Sequence, residues 1–99
     1  MTQICLNNEG LQTKFWLGNL YVTAAAEREL TQEEINAALY RHGSGDWGDV
    51  CPEDREANET ALTMGGRLFS VYHAGNGAKF WIITECDRSV TTVLLPDDY

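Results

Sequence analysis

The strongest constraint on the fold lies in the last third of the chain, where three short stretches have the composition of β-strands. They read RLFSVYH, KFWIITE and VTTVLL, and the turn-forming stretches AGNGA and CDRS separate them. β-Branched and aromatic residues at this spacing, with glycine and polar residues between them, are typical of strands joined by tight turns. The pattern predicts an antiparallel meander of three strands.

The middle stretch of this meander is apolar on both sides. Trp81 and Ile83 alternate along it with Phe80 and Ile82, so each face of the strand carries large apolar side chains. Such a strand is usually central, with helices over one side and the same chain or a partner over the other. Because 99 residues suit one domain, we expect a single α+β domain, residues 1–99, with helices packed on an antiparallel sheet of about four strands.

A helix is predicted after Thr31. Thr31 and Glu34 have the spacing of a capping box, and Gly43 is placed to end the helix in a left-handed conformation. The residues that would share its buried face are Ile35, Ala38, Leu39 and His42.

A second helix is predicted to begin at Pro52, because proline is favoured in a first turn, and to end at Gly65 and Gly66. Its apolar stripe is thin and consists of Ala57, Ala61, Leu62 and Met64. We therefore expect this helix to lie on the surface, with its acidic residues in water.

Another strand is predicted before the helices, in KFWLGNLYVT, residues 14–23. Gly10 precedes it and Gly18 interrupts it, which favours a turn at the first position and a bend at the second.

The charge of the chain is strongly negative and unevenly distributed. The net charge is −8, and residues 27–59 hold ten carboxylates against three arginines, so that this segment alone carries −7. Proteins bind nucleic acids largely by neutralising phosphates with Lys and Arg, so we expect this chain to be repelled by DNA and RNA. An acidic surface suits a host protein or complex with a basic surface instead.

The stretch RHGSGDWGDV, residues 41–50, connects the two predicted helices and places polar residues among three glycines. The glycines allow tight turns, and Asp46 and Asp49 are suited to bond backbone amides, so a structural connector is the favoured interpretation. Trp47 is either a plug over the sheet or an exposed anchor for a partner. In the binding interpretation, the site comprises Trp47 with the carboxylates of Asp46, Asp49, Glu53, Asp54, Glu56 and Glu59.

A polar cluster at the meander offers a catalytic alternative. Hairpin geometry brings Glu85 towards Arg67, and this pair is either a surface ion pair or a phosphate-binding arginine beside a general base. The full catalytic alternative adds Arg88 and one of the histidines His42 and His73, because an imidazole can serve as an acid–base group near neutral pH. Each histidine also has a structural interpretation, and a charged form of His42 would be favoured at a helix C-terminus.

The sequence gives little indication of a metal site, a disulfide framework or a membrane-spanning segment. Cys5, Cys51 and Cys86 are odd in number and far apart, and neither histidine belongs to a spaced ligand set, so we expect no metal and no cofactor. No apolar run approaches the roughly 20 residues of a membrane span, and MTQICLNNEG lacks the pattern of a signal peptide. We expect a cytoplasmic protein that does not bind membranes.

The combination of RHGSGDWGD with RLFSVYH and FWIITECDRSVTTVLLPDDY resembles a family of short bacterial proteins carried on plasmids, phages and integrated elements. The resemblance covers about residues 40–99 and implies residence on mobile DNA rather than an activity. Some members are labelled as restriction-enzyme subunits, but 99 residues are too few for a restriction nuclease or methyltransferase of the usual kind.

A second resemblance is to barnase and related small ribonucleases, including RelE-like toxins, which place helices before an antiparallel sheet. Arg67 with the following LFS, and the later IITECDRSVTT, are similar to the barnase strand pattern. Where barnase carries its catalytic histidine, this chain has Cys86, Asp87 and Arg88, so only Arg67 is carried over as a site residue.

These observations lead to one preferred function and two alternatives. We expect an acidic, mobile-element-borne protein that inhibits a host defence complex of CRISPR or restriction type by mimicking nucleic acid, which would be a binding role rather than an enzymatic one. The alternatives are a small ribonuclease or toxin, and a structural subunit that forms a homodimer through its sheet.

Overall fold

The computed structural model describes residues 5–6 and 12–99, with only the backbone described for residues 5, 6 and 12. The turn predicted at Gly10 lies outside the described residues. The strands and helices, in chain order, are β1 (Cys5–Leu6), β2 (Gln12–Thr13), β3 (Asn19–Val22), α1 (Ala24–Glu29), α2 (Gln32–Gly43), α3 (Pro52–Met64), β4 (Leu68–His73), β5 (Lys79–Thr84) and β6 (Val90–Leu94), followed by a 3₁₀ turn at Pro96–Asp98. The α+β class is confirmed.

The main sheet has four strands in the order β3-β6-β5-β4, and a separate pair is formed by β1 and β2. The antiparallel meander of β4, β5 and β6 is present as predicted, with Trp81 opposite Val71 on one side and Leu94 on the other. The sheet is mostly antiparallel, as expected, with one difference: β3 lies parallel to β6. The helices between β3 and β4 make this arrangement accessible, since parallel strands need a long crossover.

The core on the helical side of the sheet forms where α1 and α2 pack against β5 and β6. Its members include Ala26, Leu30, Ile35, Ala38, Leu39, Phe80, Ile82 and Val93. The predicted buried face of α2 is confirmed, because its three apolar residues and His42 are all buried. This packing places the C-terminal end of α2 over the sheet.

The predicted start of α2 is confirmed in detail, and its predicted end is not. Thr31 Oγ1 accepts from the amide of Glu34 at 3.1 Å, and Glu34 Oε1 accepts from the amide of Thr31 at 2.9 Å. Gly43 is helical, and the left-handed residue is Gly45, with φ 84°. Gly43 serves packing instead, since a Cβ there would lie 2.5 Å from Thr13 Cγ2.

The strand predicted over residues 14–23 is shorter in the structure and begins at Asn19. Gly18 makes the predicted bend with φ 67°, and it passes so close to Ser89 that a Cβ would lie 2.3 Å from the Ser89 carbonyl oxygen. Helix α1 was not predicted. It is only six residues long, is capped by Thr23 and fully buries Ala26.

Helix α3 begins at Pro52 and ends before Gly65, which has φ 81°, as predicted. Its stripe differs from the prediction, because Ala57 is exposed and Met64 is 76% exposed. Asn58 is buried in their place. The helix lies along the edge of the sheet, where a polar side chain reaches the backbone of β4.

Candidate functional site

The loop between α2 and α3 is held by a dense set of polar contacts around Asp46. Arg41 binds the Asp46 carboxylate through two nitrogens, at 2.8 and 3.3 Å, and the Gly48 amide donates to Asp46 Oδ1 at 3.2 Å. The hydrogen bond from Arg41 holds the pKa of Asp46 below its ordinary value. The Tyr72 hydroxyl donates to the Asp46 carbonyl oxygen, and burial raises the pKa of Tyr72 to about 12. Asp46 therefore acts as a turn residue.

Trp47 is fully buried, so the expectation of an exposed anchor was wrong and the alternative, a plug in the core, is correct. Its ring packs against Phe15 and His42, with centroids 6.2 and 5.6 Å away. The indole N–H donates to Glu59 Oε2 at 2.8 Å, which removes the usual cost of burying that group. Trp47 offers no contact area to a partner.

The same loop covers the outer edge of β4. The Val71 amide donates to the Trp47 carbonyl oxygen at 3.1 Å, and the Asp49 amide donates to the Val71 carbonyl oxygen at 2.9 Å. Gly48 has φ 72° there, and a Cβ would lie 2.0 Å from the Val71 carbonyl oxygen. The favoured interpretation of RHGSGDWGDV as a structural connector is consistent with these contacts.

Asn58 extends the cover of this edge to Phe69. Its side-chain nitrogen donates to the Phe69 carbonyl oxygen at 2.7 Å, and its side-chain oxygen accepts from the Phe69 amide at 3.0 Å. Sequence reasoning missed this residue. The available signal was a polar residue, three positions before Ala61, where the stripe of a packed helix should be apolar.

His42 is completely buried and bonded through both ring nitrogens. Nδ1 lies 2.6 Å from Ser70 Oγ, and Nε2 lies 2.9 Å from Thr84 Oγ1. Thr84 Oγ1 is in turn 2.7 Å from Thr91 Oγ1, which donates to the Leu17 carbonyl oxygen at 2.6 Å. The network crosses three strands on the helical side of the sheet.

The direction of this network determines the tautomer of His42. The Leu17 carbonyl oxygen can only accept, so Thr91 donates to it and must accept from Thr84. Thr84 then has no proton left for the histidine, so Nε2–H donates to Thr84 and Nδ1 accepts from the Ser70 hydroxyl. Burial, together with the nearby charge of Arg88, lowers the pKa of His42 to about 3. The expectation that the helix C-terminus favours a charged His42 was wrong, because burial outweighs the dipole.

The remaining candidates for catalysis are dispersed. His73 is exposed and pairs with Asp49 at 2.9 Å. It lies at the end of β4, whereas Arg67 precedes the start of that strand, about 20 Å away along an extended backbone.

Arg67 and Glu85 are close, as hairpin geometry predicted. Arg67 Nε lies 3.7 Å from Glu85 Oε1, and both side chains are about half exposed. Arg67 also donates to the Tyr99 hydroxyl at 2.7 Å and lies over the Tyr99 ring. The hydrogen bond to Tyr99 and, less strongly, the charge of Glu85 raise the pKa of Arg67. This arrangement has the character of a surface ion pair.

Arg88 has a structural position at the C-terminal end of α3. Its guanidinium donates to the carbonyl oxygens of Ala61 at 2.9 Å and Gly66 at 2.5 Å, and its backbone has φ 62°. A cation bonded to the last carbonyls of a helix also interacts favourably with the helix dipole. Burial lowers the pKa of Arg88. The Arg88 guanidinium, which the catalytic alternative needs, is therefore already bonded to backbone carbonyl oxygens.

The predicted acidic residues of α3 lie on the surface. Glu53, Asp54 and Glu56 are exposed, and none of them forms an ion pair with any residue that the structure describes. Glu53 and Glu56 are three positions apart and share a side of the helix, where they line a shallow groove with Arg67. Glu59 differs from them because its carboxylate accepts from Trp47.

Within residues 5–6 and 12–99, no group of three or more His, Cys, Asp and Glu side chains is placed to hold a metal ion. The thiols of Cys51 and Cys86 are free and exposed, and the side chain of Cys5 lies outside the described residues. None of the helices described is long and apolar enough to cross a membrane. No family model, curated protein or solved structure matches the chain.

Proposed function

We propose that this chain is a binding protein that inhibits a host defence complex, of CRISPR or restriction type, by presenting carboxylates where that complex binds nucleic acid. The observation that supports this most is the exposed side of α3, where Glu53, Asp54 and Glu56 form no ion pair with any described basic residue. A segment with a net charge of −7 generates a field that attracts a basic protein surface. The resemblance to plasmid- and phage-borne proteins supplies a biological setting.

The attachment of α3 to the body of the protein also supports a binding role. Asn58 ties its middle to β4, Arg88 ties its C-terminal end to the turn before β6, and Arg55 donates to the Gly48 carbonyl oxygen at 3.3 Å. Together with the hydrogen bond from Trp47 to Glu59, these contacts hold the helix while Glu53, Asp54 and Glu56 stay exposed. A rigid surface loses less conformational entropy on binding, so pre-organisation of this kind favours affinity.

The ribonuclease alternative has weaker support. Its five candidate residues do not converge, because His42 is buried in a satisfied network, Arg88 caps a helix, and His73 lies at the far end of β4 from Arg67 and Glu85. A general base must come within hydrogen-bond reach of the group that it deprotonates. Arg67 and Glu85 contact each other at 3.7 Å, but neither histidine takes part in that contact.

The proposal is tested by immobilising the chain, passing a bacterial lysate over it, and eluting first with duplex DNA and then with increasing salt. We expect a nucleic-acid-binding complex that is identified by mass spectrometry and displaced by the DNA, because the DNA competes for the same basic surface. The affinity of the purified complex should also fall with ionic strength, as for contacts between exposed charges.

The matched variants are Glu53→Lys with Glu56→Lys on α3, and Glu27→Lys with Glu33→Lys on α1 and α2. Both pairs change the net charge equally, and all four side chains are exposed. The α3 pair should abolish binding and the control pair should retain most of it. Equal binding by both pairs, or a partner that DNA does not displace, would contradict mimicry. Growth arrest on expression that Arg67→Ala removes would establish the ribonuclease instead.

A further inference from the structure

We propose that the outer edge of β3 pairs with the same edge of a second copy, so that two sheets join in a symmetric dimer. In the order β3-β6-β5-β4, β3 is an edge strand. An edge strand presents unpaired backbone groups that can template the pairing of another strand. The partner is thus a second copy of this chain, and the surface is the strand Asn19–Val22.

The pairing with β6 shows which backbone groups of β3 are unused. The amides of Asn19 and Thr23 donate to the carbonyl oxygens of Ser89 and Val93, at 2.9 and 3.0 Å. Because alternate residues of a strand direct their backbone groups to the same side, Leu20 and Val22 direct theirs away from β6. No described residue bonds to the backbone of either.

Within the described part of the chain, the strand also lacks the features that keep edges from pairing. Proteins usually protect an edge with charge, proline, a bulge or a covering segment. Residues 19–22 read NLYV and contain neither a charged residue nor a proline. By contrast, β4 at the opposite edge is covered by Asn58 and the loop before α3. Asn19 and Tyr21 are the exposed residues of the strand, Tyr21 is 56% exposed, and tyrosine is common in protein interfaces.

The edge is self-complementary about Tyr21. If two β3 strands pair antiparallel with Tyr21 opposite the partner's Tyr21, then Leu20 faces the partner's Val22, and Val22 faces the partner's Leu20. Both are hydrogen-bonded positions of the ladder, so all four outward amides and all four outward carbonyls find partners. The same surface on each copy satisfies the requirement of a two-fold interface.

Charge favours this edge over other surfaces for self-association. Two chains of net charge −8 repel each other, yet residues 19–22 are uncharged. The acidic helix α3 packs beside β4, at the other edge of the sheet. A four-residue edge buries less than a standard interface of about 1,600 Å², so we expect a dimer that dissociates on dilution.

The first experiment measures molecular mass by sedimentation from nanomolar to submillimolar concentration. We expect the wild type to shift from the chain mass of 11.1 kDa to twice that mass. Tyr21→Lys should stay monomeric because it sets two like charges directly opposite each other. Tyr40→Lys is the matched control, since Tyr40 is 50% exposed on α2 and the charge change is identical. A wild type that is monomeric throughout, or a control that dissociates equally, would overturn the proposal.

A second experiment tests the register. In a background with the three native cysteines changed to serine, Tyr21→Cys should form a disulfide-linked dimer on mild oxidation, because the two Cα atoms would lie about 4.5 Å apart. Asn19→Cys should not, since Asn19 faces the partner's Thr23. Equal cross-linking of both variants would contradict the two-fold axis at Tyr21. The dimer is independent of the proposed inhibitory function, and each experiment can fail while the other succeeds.

Discussion

The outer edges of β4 and β3 differ in how their backbone groups are satisfied. At β4, Asn58 bonds both backbone groups of Phe69, and the loop before α3 bonds both groups of Val71. At β3, nothing among the described residues bonds the outward groups of Leu20 and Val22. The difference indicates that the described part of the chain protects the β4 edge, along which a helix and a loop pass, and does not protect the β3 edge.

Buried polar groups extend from β4 across β5 to β6, whereas the contacts Arg67–Glu85 and His73–Asp49 are exposed near the two ends of β4. The network of His42 begins on β4 at Ser70 and reaches Leu17, the residue before the bend that leads to β3. Substitutions in this interior should therefore change stability, and substitutions at the exposed positions should change it little.

The largest expected effect is acid destabilisation through His42. The unfolded chain binds a proton at His42 below about pH 6.5, whereas burial lowers the pKa in the folded chain to about 3. The contribution of the neutral imidazole is therefore complete above pH 6.5 and is lost as the pH falls. Between about pH 7 and 4.5, we expect the free energy of unfolding to decrease by roughly 2–3 kcal/mol, as measured by urea denaturation.

The control is His42→Gln, which cannot titrate. Its free energy of unfolding should be lower than that of the wild type at neutral pH, but it should change much less with pH across this window. Subtracting the two curves removes the contribution of carboxylates such as Asp46 and Glu34, whose lowered pKa values affect both proteins at the acidic end. Parallel curves would show that His42 is already protonated or accessible in the folded state.

The next prediction tests how much the cover of the β4 edge contributes to stability. Asn58→Leu keeps the approximate size of the side chain but leaves the amide and carbonyl of Phe69 without partners. We expect a loss of about 2 kcal/mol, because unpaired buried polar groups are costly. Asn36→Leu is the control on the exposed side of α2 and should change stability by less than about 0.5 kcal/mol. Similar values for both variants would mean that water replaces Asn58 at no cost.

The smallest effect concerns the exposed pair of Arg67 and Glu85. Glu85→Gln removes one charge with little change of shape, and we expect a loss of less than about 1 kcal/mol that shrinks further at high salt. Thermal unfolding at two ionic strengths measures it. A larger, salt-independent loss would indicate that the two side chains are coupled to a buried group, contrary to their half-exposed positions.

Much of the fold was predictable because its signals are local. The capping box of Thr31 and Glu34, the start of α3 at Pro52 and the three meander strands each depend on residues close together in the sequence. The parallel pairing of β3 was not predictable in this way, since β3 and β6 are separated by most of the chain. Helix α1 was missed because six residues carry too short a pattern.

In the candidate site, too, some features were predictable from the local sequence and others depended on contacts between distant residues. The positions of Glu53, Asp54 and Glu56 on an exposed helix followed from the sequence, and their role in binding remains a prediction. Trp47 could not be assigned to plug or anchor, because its burial depends on Phe15 and on Glu59, which accepts its indole proton from another element.

The sequence by itself determined where the helices begin, which stretches are strands and where the negative charge is concentrated, since each of these depends on neighbouring residues. Only the tertiary structure decided the tautomer of His42, the helix-capping role of Arg88 and the contrast between the two sheet edges. Each of these requires hydrogen bonds between groups far apart in the chain, and such bonds form only when packing brings a donor to one particular acceptor.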